Sequence, residues 1–392
     1  MPALNALRRV TQRGTLLALL VAAGPGAKLS AATLAAGARA PGAESELGER
    51  LRAAEELLAA GRAVAAEAQF RQLVVAAPRL AEARHGLARA LAALGRRGEA
   101  LAALLELAAG STGERAVGYA GEAAALAPES AAAQLALGRA LMLAQRFDAA
   151  LAPLARAAEI STAAAPHLYL GLALWESGRI EPARASLERA VTLAPGDPVA
   201  RHQLGRLELW AGRAEHAVPL LREAAGRAPR AVDVQVDYAL ALERSGDLGE
   251  ALSVYRRAAI LAPESPAPRY GMGRVLRRLG DERSARTELE RFARLQATQA
   301  EAQAKAGRER AGLDFGWNLL AAGRDAEAAA HFAGLALSTE SLVGLAEARA
   351  RLGDAAGAVA ALERAVERDP QRHDLQLRLA EARQRAAVEE ER

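Results

Sequence analysis

Cysteine is absent from the 392-residue chain, so it has neither a disulfide framework nor a thiol nucleophile. That absence leaves the compartment open, because exported chains without disulfides and cytosolic chains share it. Aromatic residues reach only 3% while apolar residues total 51%, so alanine carries much of the apolar character. Lysine occurs only as Lys28 and Lys305, and asparagine only as Asn5 and Asn318. β-branched runs bounded by turns are missing, which argues against an all-β or α/β fold. What remains is alanine, the best helix former, punctuated by 34 glycines and 16 prolines.

An excess of charge is also missing from most of the chain. The net charge is +4, and residues 1–32 hold Arg8, Arg9, Arg13, Lys28 and no acid, which accounts for all of it. The rest balances, so the chain lacks the basic excess expected of a nucleic-acid binder. Catalytic patterns are absent too. The histidines, His85, His167, His202, His216, His331 and His373, show no i, i+4 ligand pairing and have no cysteine partners. No Gly-x-Ser-x-Gly elbow occurs. "GMGRVL" from Gly271 lacks the third glycine of a dinucleotide loop, and "GPGAKLS" at 24–30 lacks the spacing of a phosphate loop. The expectation is a protein that is not an enzyme and takes no cofactor and no metal.

Residues 1–32 form a separate piece. A basic start, "MPALNALRRVTQRG", leads into the apolar run "TLLALLVAA" at 15–23, then "GPG" and small residues through Ala32. That is the three-part layout of a secretory signal, with cleavage expected near Ala32. The run is too short to span a bilayer, which takes roughly twenty residues, so no membrane span is expected in the mature chain. A linker follows at 33–46.

The rest of the chain is periodic. Pro195, Pro229 and Pro263 recur every 34 residues. Twenty-four places before each stands a small residue: Gly171, Gly205, Ala239. Seventeen before stand Gly178, Gly212 and Gly246, and twelve before stand Ala183, Ala217 and Ala251. Eight before comes a bulky residue, Leu187, Leu221 or Tyr255, and five before comes Ala190, Ala224 or Ala258. The middle glycine can close a first helix in the left-handed conformation. The small residues let two helices approach closely, and the proline stops the second helix.

This order of small, large and proline positions resembles the tetratricopeptide repeat, a 34-residue helix–turn–helix unit. The resemblance implies an all-α solenoid, a right-handed superhelix of about eight to nine units. It covers a main array at 47–299, with one irregular helix at 113–130 that breaks the period. A polar helical extension follows at 300–308, with a turn expected at Gly307. Two further units at 309–372 and a capping helix at 373–392 complete the chain. A single unit cannot bury its apolar face, so stability comes from stacking.

In this family the concave groove is lined mainly by the first helix of each unit, helix A. Carried onto this sequence, the groove positions are His85, Arg89, Arg139, Trp175, His202, Arg206, Trp210, Tyr270, Arg274 and Arg277, with Leu168 beside them. Acids are fewer there: Glu82, Asp233 and Glu243. The lysine–asparagine clamp that the family uses for a terminal carboxylate is absent. The functional expectation is a groove with arginine forks and aromatic walls that binds a protein or peptide partner. The alternative is that the arginines are solvated and the tryptophans fill gaps between units. The expected role is a non-catalytic scaffold or adaptor in the periplasm or cell envelope. Rival roles are a cytosolic regulator, or an accessory subunit of an envelope enzyme or polysaccharide export complex.

Overall fold

The computed structural model describes residues 41–78, 80–335 and 338–390. The secretory-signal segment 1–32 and linker residues 33–40 lie outside the described residues. Within them the chain forms nineteen helices and no strand. Two compact units emerge, Pro41–Phe292 and the residues from Ala293 onward.

The first unit opens with α1 (Pro41–Ala59) and α2 (Ala63–Ala76), then α3 (Ala81–Ala93) and α4 (Arg97–Ala109). The first helix thus starts inside the stretch read as linker, because proline is well tolerated in an opening turn, where its missing N–H costs nothing. A lone helix follows, α5 (Gly113–Leu126). Pairs resume with α6 (Ala131–Leu143) and α7 (Phe147–Ile160), then α8 (Ala164–Glu176) and α9 (Ile180–Leu193). Next come α10 (Pro198–Trp210) and α11 (Ala214–Arg227), then α12 (Val232–Ser245) and α13 (Leu248–Leu261). The last pair is α14 (Pro266–Arg278) and the start of α15 (Glu282–Ala321).

Each repeated residue finds the role its chemistry allows. Gly178, Gly212 and Gly246 close their helices at φ of 78°, 80° and 100°. In the unit that starts at α6, Gln145 stands at the same place with φ 59°, the only non-glycine in the left-handed region among the described residues. A side chain there costs about 1–2 kcal/mol. Asp197 caps α10, its Oδ1 accepting from the Val199 N–H at 2.9 Å.

Close approach is achieved at the small residues. A β-carbon added at Gly171 would lie 2.7 Å from Cγ of Leu187, and one at Gly205 would lie 2.6 Å from Cγ of Leu221. Ala183, Ala217 and Ala251 are fully buried beside these seams. Each buried leucine contributes about 1.5–3 kcal/mol through lost water contact. The lone helix α5 does not interrupt this core, since Ala88, Leu104, Ala123, Ala124 and Ala133 of α3, α4, α5 and α6 bury together. The break in period at 113–130 is therefore one inserted helix inside a continuous stack.

The second unit takes in the C-terminal part of α15, then α16 (Asp325–Gly334), α17 (Thr339–Arg351), α18 (Ala355–Arg368) and α19 (His373–Glu390). Phe332 is fully buried, and a β-carbon at either Gly316 or Gly344 would come 2.5 Å from its ring. Leu375 and Leu379 of α19 are buried against this end of the array.

Helix α15 corrects the expectation of a turn at Gly307. It runs unbroken for 40 residues, and every residue from 296 to 308 is exposed. Among the described residues no packing supports that stretch. Alanine, glutamine, glutamate and arginine are strong helix formers, and one interior glycine costs only about 1 kcal/mol against them.

Candidate partner-binding face

The helix-A residues named from the sequence fall into two groups. The first is engaged within the stack. His202 of α10 is 3% exposed, and its Nε2 lies 2.8 Å from Oδ2 of Asp237 on α12. Arg206 reaches the same oxygen with Nε at 3.4 Å. Its Nη1 donates to Oε1 of Gln203 at 3.0 Å, and its guanidinium lies 5.5 Å from the ring centroid of the buried Trp175. Burial pushes the Asp237 carboxyl up. The hydrogen bond from His202 and the charges of His202, Arg206 and Arg244 outweigh that and hold it below the usual aspartate range.

The next junction repeats the arrangement with other residues. Arg274 of α14 donates through Nη2 to Oε2 of Glu243 on α12. The Tyr255 hydroxyl donates to the same oxygen at 3.2 Å. Glu243 is 6% exposed, so two donors replace the water it has lost. Arg278 Nη1 donates to the main-chain carbonyl of Glu243 at 2.6 Å, as Arg244 Nη1 does to that of Leu209 at 2.7 Å. Both carbonyls belong to a helix C-terminus, where a cation is favoured. Arg139 lies over the Tyr169 ring at 5.1 Å. His85 of α3 meets Oε2 of Glu122 on α5 at 2.7 Å and the Tyr119 ring edge-on at 5.0 Å.

This corrects the expectation that Arg206 and Arg274 stand free as forks for a partner's carboxylates. Stacking brings successive A helices close enough for each arginine to reach an acid on its neighbour. Asp237 was missed because it lies one place off the stripe of groove positions. Its signal was the spacing, 35 residues after His202.

The second group faces outward. Trp210 is 47% exposed and Tyr270 43% exposed. Arg89 and Arg277 are also exposed. The Tyr270 ring packs on Phe292 with centroids 5.0 Å apart and carries the Arg274 guanidinium at 5.0 Å. Among the described residues no group of histidine, aspartate or glutamate is arranged to hold a metal ion. None of the described helices is long and apolar enough to cross a membrane.

Three family models described as tetratricopeptide repeat match the chain, over residues 202–266, 242–309, and 164–207 with 339–382. Over those residues the chain carries tetratricopeptide repeats, and its described residues form the all-α stack of consecutive helix pairs that such repeats build. No curated protein matches it. Among solved structures, YrrB, a TPR protein with an unusual peptide-binding site, is 19% identical. That likeness covers 45% of this chain and 92% of YrrB, at a TM-score of 0.41. MamA from Desulfovibrio magneticus RS-1 is 20% identical over 43% of this chain and 96% of that one, with a TM-score of 0.41. The APC/C hetero-tetramer Cut9-Hcn1 is 13% identical, covering 88% of this chain and 57% of that one, at a TM-score of 0.40.

The two groups separate under mutation. Arg274→Ala leaves Glu243 buried without its charge partner and should cost about 2 kcal/mol, less than a wholly buried pair because Arg274 is partly exposed. Arg277→Ala should change stability by less than about 0.5 kcal/mol. Denaturant unfolding of the two variants checks the difference, and equal losses would contradict it.

Proposed function

We propose that the protein is a non-catalytic interaction scaffold whose helix-A face holds a peptide or partner helix. The observation that carries this reading is the exposure of Trp210 and Tyr270, at 47% and 43%, in a chain with so few aromatics. Exposed tryptophan and tyrosine are the side chains that most often dominate binding energy at protein interfaces. Arg89 on α3, and Arg277 on the same helix as Tyr270, add exposed donors on A helices of the same unit. The engaged residues Arg206, Arg274 and His202 hold the A helices in register beneath that face. They position the surface rather than contact the partner.

The working place proposed is the periplasm or cell envelope. The basic start, apolar run and small residues of 1–32 support it.

Trp210→Ala combined with Arg277→Ala should reduce capture of cross-linked partners from a native envelope extract at least tenfold, while the melting midpoint stays within a few degrees. Undiminished capture would contradict the assignment of this face. Mass spectrometry of the chain purified from its own cells tests export separately. A mature chain beginning close after Ala32 is expected, and an intact Met1 in the soluble cytosol would overturn it.

A further inference from the structure

A single extra helix changes the side toward which later repeats face. In a stack of helical hairpins, consecutive helices alternate between two layers. Helix A of every repeat then falls in one layer and helix B in the other. The lone helix α5 stands between the pair α3–α4 and the pair α6–α7. From α6 onward, each helix A therefore shares a layer with α4, a helix B, and not with α3.

The packing follows this rule. Beyond the insertion α6 packs on α8, α8 on α10, α10 on α12 and α12 on α14. Toward the N-terminus that series continues to α4, which packs on α6. Before the insertion α1 packs on α3. The α3 layer continues into α5. His85 of α3 lies 2.7 Å from Oε2 of Glu122 and meets the Tyr119 ring edge-on at 5.0 Å, and both partners are on α5. His202 does the same toward Asp237 of α12, but in the other layer. Exposed residues mark the two outer surfaces: Arg89 of α3 and Ala125 of α5 on one, Ala102 of α4 and Ala132 of α6 on the other.

We infer that the helix-A face of Pro41–Phe292 is two faces, turned to opposite sides of the stack. His85 and Arg89 belong to the side formed by α1, α3 and α5. Trp210, Tyr270 and Arg277 belong to the side formed by α4, α6, α8, α10, α12 and α14. This rests on the reading of the helix-A residues as a partner surface and divides that surface. A peptide or partner helix laid along α14, α12 and α10 and continued toward the N-terminus meets α8, α6 and then α4, never α3. Its last contacts are then helix-B residues such as Ala102.

Electron–electron resonance distances between paired spin labels test this on the full chain, whose lack of cysteine confines labels to introduced ones. Three double variants are needed: Arg89→Cys with Ala132→Cys, Ala102→Cys with Ala132→Cys, and Arg89→Cys with Ala125→Cys. Neighbouring helices of one layer lie roughly 10 Å apart. The outer surfaces of two stacked layers lie roughly 20 Å apart before the label arms are added. The 89–132 distance should therefore exceed the 102–132 and 89–125 distances by at least about 10 Å. Should a label at Ala132 unfold the protein, Leu135, half-buried one turn further along α6, takes its place. An 89–132 distance equal to or shorter than the 102–132 distance overturns the inference. No partner enters the measurement, so a failure of capture through Trp210 and Arg277 leaves the two-sided geometry standing. Overturned distances would equally leave that capture intact.

Discussion

Gly205 has no side chain because Leu221 occupies the place where one would go. An added β-carbon would sit 2.6 Å from the leucine Cγ, inside any normal van der Waals separation. At this pair the two helices nest because a hydrogen faces a branched side chain. Gly171 with Leu187 and Gly138 with Leu154 repeat the fit. The variant at Phe332 uses two glycines, Gly316 and Gly344, to enclose one ring. Everything else in the array depends on that spacing. It sets how close neighbouring helices come, and so which side chains on successive A helices can reach one another.

Those reaches produce the polar seam of the first unit. His202 and Arg206 meet Asp237, and Arg274 meets Glu243, each pairing joining one repeat to the next. Arg244 and Arg278 add a donor to a carbonyl at the end of the preceding A helix. Buried ion pairs are weak evidence for net stability, because desolvation offsets much of the attraction. Their effect here is positional, fixing the register of consecutive helices and leaving Trp210, Tyr270 and Arg277 on the surface.

The fold was largely legible because its determinants are local and recur. The turn glycines at 178, 212 and 246 and the small residues facing Leu187 and Leu221 can be read from spacing alone. The inserted helix α5 was visible as a break in period, although spacing could not say whether the core continued through it. The unbroken α15 was misread at Gly307, where strong neighbouring helix formers outweigh one weak residue. The site was less legible. Groove positions identify which residues sit on helix A, but pairing depends on distances between repeats. Arg206 and Arg277 look alike in sequence, yet an acid on the next helix engages the first and the second stays exposed.

The array depends on the steric fit between helix A and helix B, and a double-mutant cycle at Gly205 and Leu221 tests that fit most directly. Leu221→Ala alone should lose about 2–5 kcal/mol by opening a cavity. Gly205→Ala alone should lose about 1–3 kcal/mol through overpacking, despite its better helix propensity. In the double variant the new methyl enters the space the leucine vacated. The two losses should then fall short of their sum by at least about 1 kcal/mol, as expected for residues in contact. Strictly additive losses would show that the two side chains do not compete for one place, and the nesting account would fail.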